Sequence, residues 1–322
     1  MISQGMNKCK SKKVNNVDGN NQGQGQDTGK YRINTKDQFY TKVSVAKRCI
    51  EKMMDFAMAN GIELAKYVWI EPSAGNGAFL HHIPPTFQKI GIDIDPKSPG
   101  ICKSDYLEWV KTATAEMDMS DVIVFGNPPF GRQSSLAKAF IARSCEFAKI
   151  IAFILPKSFT KPSMNNAFRL DFHLIHSEEL EKNSFVLNED AYDVPCVFQI
   201  WQKRGTNREL VEKIPPCGFE YVKHDNYHIA LRRVGANAGK SHKNDGKTEF
   251  SKQSHYFICF LHENVDAYVD NVIKKINCHV FPSNTVGPRS LSKSEINVVL
   301  NGIMEQMFAV IHTETETETE DS

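Results

Sequence analysis

The chain has few of the devices that place a protein outside a cell or across a membrane. No stretch of its 322 residues approaches the roughly 18–20 apolar residues that a bilayer-spanning helix needs. The amino terminus opens on Met-Ile-Ser-Gln-Gly and stays polar, without the apolar core of a secretion signal. No two of the eight cysteines stand close enough for a Cys-x-x-Cys pair. His224 and His228 are four apart, but no carboxylate or third ligand is placed with them, so a zinc set is missing too. These absences predict an intracellular protein, cytoplasmic or nuclear and not secreted. They also predict reduced thiols, no membrane partner and no metal. A large net charge is lacking as well. The balance of +1 is set by five acids crowded at the end (Glu314, Glu316, Glu318, Glu320, Asp321), and the remainder is mildly basic. Such a body permits a nucleic-acid partner without demanding one. Oligomeric state is not legible in the sequence.

What is present divides into four parts. Residues 1–30 are rich in Lys, Asn, Gln and Gly and read as a disordered basic arm. Residues 31–204 alternate between strand and helix signals. Val43, Ala46, Ile50, Met53, Met54, Ala57 and Met58 recur at helical spacing up to Asn60-Gly61. Apolar runs at 67–70, 90–94, 122–125, 150–155 and 194–201 read as strands, with a helix over 134–147. The run at 150–155 does not alternate, as in a strand covered on both faces. The alternation predicts an α/β fold with a doubly wound, mostly parallel sheet. Residues 205–312 differ in character: a polar loop over 235–255, a strand over 256–261 and a closing helix over 292–308. They form a small C-terminal accessory or target-recognition module. The Thr-Glu repeat of 313–322 reads as an acidic disordered tail.

Two constellations carry chemistry. The first is the turn after the 67–70 strand, Glu71-Pro72-Ser73-Ala74-Gly75-Asn76-Gly77-Ala78-Phe79-Leu80. An acid closes a buried strand and a Gly-x-Gly turn follows, which lets backbone approach a ligand closely. The crevice beyond the carboxyl end of such a strand is where doubly wound sheets take nucleotides. The third glycine of the dinucleotide pattern is replaced by Leu80, and this turn holds no Gly-Lys-Ser/Thr, which disfavours dehydrogenase and NTPase readings. Asp93 ends the next strand at the spacing of a ribose-binding acid, Ile94 is placed to pack on an adenine face, and Asp105-Tyr106 follow as a further polar–aromatic pair.

The second constellation is Asn127-Pro128-Pro129-Phe130, at the end of the 122–125 strand. Two prolines fix φ and refuse ladder hydrogen bonds, so the loop is stiff. It presents an amide side chain, a free carbonyl and an aromatic ring in one arrangement.

This loop resembles the catalytic motif of the S-adenosylmethionine-dependent amino-methyltransferases, the N6-adenine type in particular. Glu71 to Phe79 resembles the cofactor motif of that family, with Ser73, Ala74, Gly75 and Gly77 within it. Asp93 matches its ribose-binding acid and Asp105 its adenine-contacting acid, and Phe39-Tyr40-Thr41 resembles the segment that touches the methionine part of the cofactor. The resemblance spans roughly residues 37–202 and implies a Rossmann-like methyltransferase sheet, S-adenosylmethionine as cofactor, and transfer to an exocyclic amino nitrogen. It assigns catalysis to Asn127, Pro128, Pro129 and Phe130. It gives cofactor contacts to Tyr40, Thr41, Glu71, Ser73, Ala74, Gly75, Gly77, Asp93, Ile94, Asp105, Tyr106 and Asn127. Phe130 and Phe185 (from Asn183-Ser184-Phe185) would hold the target base, and Pro156-Lys157-Ser158-Phe159 would shape the pocket.

The order of motifs, with an unassigned module last, resembles adenine methyltransferases whose target-recognition part is C-terminal. The residues Arg232-Arg233, Lys240, Lys243, Lys247, Arg289 and the segment 284–293 fit phosphate contacts, and Tyr221 and Tyr227 fit stacking. The nucleic-acid partner stays open between DNA and RNA. Two alternatives stand beside it: a protein glutamine N5-methyltransferase, and an inactive methyltransferase-like scaffold that binds nucleic acid.

Overall fold

The computed structural model describes residues 39–116, 118–187, 190–285 and 287–318. The expected basic arm of 1–30 lies outside them.

The chain enters through a short strand β1 (Tyr40–Thr41) and helix α1 (Val43–Ala59). β2 (Val68–Glu71), β3 (Lys89–Asp93) and β4 (Ile101–Lys103) follow, then α2 (Tyr106–Glu116), β5 (Val122–Gly126), α3 (Ser135–Ser144) and β6 (Ile150–Pro156). β7 (Phe172–Glu179), β8 (Phe185–Leu187), β9 (Asp190–Tyr192) and β10 (Cys196–Lys203) complete this part. Seven strands make one sheet in the order β4-β3-β2-β5-β6-β10-β7. β2, β3, β4, β5 and β6 pair in parallel, whereas β10 runs antiparallel to both β6 and β7.

Alternation along the strands builds two cores. Trp69, Ile123, Phe125, Ala152 and Ile154 face α1, while Ile70, Val122, Val124, Ile151, Phe153 and Leu155 face α2 and α3. Both faces are covered, which is why these strands read as continuous apolar runs. The architecture is the doubly wound, Rossmann-like α/β sheet that the sequence predicts. Its strand order reverses between β2 and β5, so their carboxyl ends open a crevice on one edge. Above that edge β1, β8 and β9 form a separate small sheet, with Thr41 opposite Phe185.

The C-terminal part has its own core. β11 (Phe219–Val222), β12 (Ile229–Arg232), β13 (Ser241–Lys243) and β14 (His255–Phe260) form an antiparallel sheet in the order β11-β14-β12-β13. α4 (Val265–Cys278) and α5 (Lys293–Glu318) pack on one face of it, around Phe219, Ile258, Val272 and Leu300. Ser292 and Glu295 cap α5 reciprocally. The Ser292 N–H donates to Glu295 Oε2 at 2.8 Å and the Glu295 N–H to Ser292 Oγ at 3.3 Å.

Two expectations change here. The polar stretch 235–255 is interrupted by β13. The helix expected over 292–308 continues to Glu318, so 313–318 are helical rather than an unfolded tail. A helix already nucleated adds one hydrogen bond per residue fixed, and Glu is a good helix former. Residues 319–322 lie outside the described residues.

Candidate active site

The crevice holds a cavity of about 660 Å³. Its wall is assembled from β1, the turn after β2, the ends of β3 and β5, and the starts of α2 and α3. Gly75 and Gly77 take positive φ of 49° and 79°, which lets the turn fold back on itself. A Cβ at Gly75 would stand 3.0 Å from Tyr40 Cε1, so the tyrosine ring lies against the glycine backbone. The Gly75 N–H donates to Asp93 Oδ2 at 2.7 Å, and the Asp95 N–H to Asp93 Oδ1 at 2.7 Å. Asp93 therefore ties the turn to β3, and each of its oxygens keeps a further lone pair for hydroxyl donors. Ile94 is 69% exposed at the cavity wall, an apolar face left open.

Asp105 is a helix cap as well as a wall residue: its Oδ1 accepts the Leu107 N–H at 2.8 Å at the start of α2. Tyr106 is fully buried. Its hydroxyl is 2.8 Å from Ser144 Oγ and its ring packs on Phe140 at 5.1 Å. Burial pushes the phenol's pKa up, so Tyr106 contributes a neutral ring to the wall and no free hydrogen bond.

Glu71 sits beneath the proline loop and is 2% exposed. Gly126, at φ 120°, makes room for it: a Cβ there would stand 3.0 Å from Glu71 Cγ. Burial raises the Glu71 pKa well above the usual carboxylate value, the Leu80 N–H pulls it back, and the nearby Asp93 charge raises it further. Asn127 Nδ2 donates to the Phe39 carbonyl at 3.4 Å. Its Oδ1 is shielded from solvent and has no hydrogen-bond partner, as do Thr41 Oγ1 and Glu71 Oε2. All three residues line the cavity. Buried polar atoms without partners are the groups that a ligand's donors and acceptors satisfy.

The charge of the wall is one-sided. Among the described residues Glu71, Asp93, Asp95 and Asp105 line the cavity and no Lys, Arg or His does, while burial favours the neutral form of Glu71 and Asp95 pairs with Lys97 Nζ at 2.7 Å. Such a cavity suits a neutral or cationic ligand rich in hydroxyls and repels phosphate.

Phe130 is half-buried and lines the cavity beside Pro128, Pro129 and Leu136. Phe185 does not. It is fully buried in the core under β1 and α1, because its pairing with Thr41 turns the ring inward. Phe159 is likewise buried in the other core and forms no part of the wall. Gly77 shapes the turn from behind, with His81 against it. Sequence reasoning placed Phe39 at the methionine end only, and missed Leu136 and Phe140. Phe39 adjoins Tyr40-Thr41 and stacks on Tyr192, with centroids 5.0 Å apart and an interplanar angle of 10°. Nothing local marks Leu136. The Gly-Lys-Ser tripeptide does occur in the chain, at 239–241, but it leads into β13 rather than a helix. Lys240 Nζ donates to the Asn277 carbonyl at 2.7 Å and Ser241 is buried, so it is no phosphate loop.

Among the described residues no three His, Cys, Asp or Glu side chains gather as a metal site, and no helix is long and apolar enough to cross a membrane.

A Rossmann-like sheet with an acid-lined crevice at its switch point defines the class. No protein-family profile matches the chain and no curated protein does. Solved structures with partial likeness include a candidate RNA methyltransferase from Pyrococcus horikoshii, 15% identical, covering 52% of this chain and 87% of that one, with a TM-score of 0.35. A modification subunit of a candidate type I restriction enzyme from Vibrio vulnificus is 12% identical, covers 73% and 61%, and has a TM-score of 0.41. A candidate methyltransferase solved in complex with SAH is 13% identical, covers 43% and 46%, and has a TM-score of 0.33. At these scores the fold rests on the strand order and parallel pairing given above.

Proposed function

We propose that this protein is an S-adenosylmethionine-dependent methyltransferase acting on an exocyclic amino nitrogen, adenine N6 in DNA or RNA being the leading target. The observation that carries the reading is Asn127 Oδ1, a shielded and unpartnered acceptor on the wall of an acid-lined cavity. Among the described residues that wall offers no cation to a pyrophosphate, and its carboxylates favour a cationic, hydroxyl-bearing cofactor. When bound, S-adenosylmethionine supplies an electrophilic methyl group carried on a sulfonium. Asp93 is suited to the ribose hydroxyls, Ile94 and Asp105 to the adenine, and Tyr40, Thr41, Glu71, Ser73, Ala74 and Gly75 to the methionine end.

The amino nitrogen of adenine is a weak nucleophile, because its lone pair is delocalised into the ring. Asn127 Oδ1 and the Pro128 carbonyl accept its two N–H bonds, draw the nitrogen towards tetrahedral geometry and free the lone pair. The prolines hold both acceptors in place, so the contribution is positioning and electrostatics rather than a strong base. Phe130 stacks on the target ring, which has left its helical stack. Phe39, braced by Tyr192, is the second ring in place of Phe185.

Purified protein incubated with labelled S-adenosylmethionine and pools of DNA, RNA and protein tests this. The expected result is label in N6-methyladenine after digestion. Label only in protein would overturn the nucleic-acid target. Cofactor binding with no label in any pool would identify a scaffold instead.

A further inference from the structure

Among the described residues the wall of the cavity that would take the base carries Asp93, Asp95, Asp105 and a Glu71 whose neutral form burial favours, and no cation. The phosphates of any polynucleotide presenting that base must therefore be met elsewhere. The C-terminal module holds two cations gathered on aromatic rings. Lys293 Nζ lies 4.1 Å from the Tyr221 ring centre and 5.9 Å from that of Tyr256. The Arg233 guanidinium lies 5.2 Å from the Tyr256 ring centre. The two rings meet edge to face at 5.4 Å. Arg233 donates to the Gln253 carbonyl at 2.9 and 3.1 Å, and Lys293 is exposed at the start of α5. Neither cation forms a salt bridge among the described residues, although both share one ring. Cation–π contacts hold such side chains in place while leaving the charge outward.

This patch is anchored to the catalytic module. Lys161 Nζ reaches Glu295 Oε2 at 2.9 Å and the Ser290 carbonyl at 2.8 Å, in a half-buried pair. Glu295 also holds Asn284 Nδ2 at 3.1 Å. The N–H of Leu291 donates to the Arg233 carbonyl at 2.8 Å, which sets the start of α5 beside Arg233. Lys161 follows β6, whose neighbour β5 carries Asn127 at its end. The anchor thus joins the patch to the half of the sheet edge next to the proline loop.

We propose that Arg233 and Lys293, held on Tyr256 and Tyr221, contact the phosphate backbone of a nucleic-acid substrate. This rests on the methyltransferase reading above only for what enters the cavity, and the experiment separates the two.

The full-length protein is titrated against fluorescently labelled single-stranded DNA and RNA oligonucleotides across a salt series. Arg233→Gln with Lys293→Gln should lower the slope of log affinity against log salt by about 1.4, at roughly 0.7 per phosphate contact, and weaken binding about tenfold at physiological salt. Arg233→Lys with Lys293→Arg keeps the charges and should keep the slope. Lys293→Gln alone, at an exposed position, should show about half the slope change. S-adenosylmethionine affinity should stay unchanged in all three. An unchanged slope in the double glutamine variant, or no oligonucleotide binding by the unmodified protein, overturns the proposal. Methyl transfer to nucleic acid with an unchanged KM in that variant overturns the patch and leaves the enzyme reading standing. Oligonucleotide binding through these residues without methyl transfer supports the patch and overturns the enzyme reading.

Discussion

Asn127→Ala separates function from stability in a way that few substitutions do. Asn127 Oδ1 is shielded and unpartnered, and an unsatisfied buried acceptor costs about 1–3 kcal/mol. Among the described residues the amide makes one hydrogen bond, from Nδ2 to the Phe39 carbonyl at 3.4 Å, worth at most about 1 kcal/mol. Removing the carboxamide should therefore leave the fold unharmed or stabilise it by up to about 2 kcal/mol. At about 2–4 °C per kcal/mol for a domain of this size, the thermal midpoint should hold or rise by a few degrees. Methyl transfer should fall about 10²–10³-fold in kcat, the range seen when one preorganised electrostatic contact is removed from an active site. Cofactor affinity should change little. The assay pairs label transfer with a thermal melt of the same preparation. A variant that keeps kcat within tenfold would show that the oxygen holds no reacting group. One that loses more than about 2 kcal/mol would show that the side chain braces the loop. Either result refutes the reasoning.

Phe185→Ala should lose about 3–5 kcal/mol in urea unfolding, as for a fully buried core ring, while the folded fraction keeps its KM. Phe130→Ala should do the reverse, cutting kcat/KM with a smaller stability change, since that ring is only half-buried. Glu71 has a raised pKa in the folded protein, so its contribution to stability is present below its unfolded value near 4.5 and is lost as pH rises towards the folded value. Glu71→Gln should flatten that decline and stabilise the protein more at pH 8 than at pH 5; an equal shift at both pH values would contradict a raised Glu71 pKa.

Much of the site was legible because its signals are local. The glycine turn needs positive φ at Gly75 and Gly77, and the stiffness of Asn127-Pro128-Pro129-Phe130 follows from two pyrrolidine rings. Other elements left weaker marks. β7 reads as polar because it is an edge strand, with Leu174, Ser177 and Glu179 exposed and a register shift opposite Ile200 and Trp201. α4 was legible but passed over: Val265, Tyr268, Val269, Val272 and Ile276 follow helical spacing. So was the capping box of Ser292 and Glu295.

Phe185 marks the boundary between the two kinds of information. Its residue type suits a base platform or a core equally well, and a one-residue shift in strand register moves a side chain from one face to the other. Pairing with Thr41, distant in sequence, decided for the core. The sequence by itself determined the kind of sheet, the turns that approach a ligand and the order in which the reactive groups occur. Only the tertiary structure decided that Tyr40, Glu71, Asp93, Asp105 and Asn127 share one cavity, and that Arg233 and Lys293 meet on one ring. The physical reason is range. Backbone preferences act over a few residues, whereas parallel pairing carries the carboxyl ends of distant strands to one edge, and burial then selects which side chains lose their water.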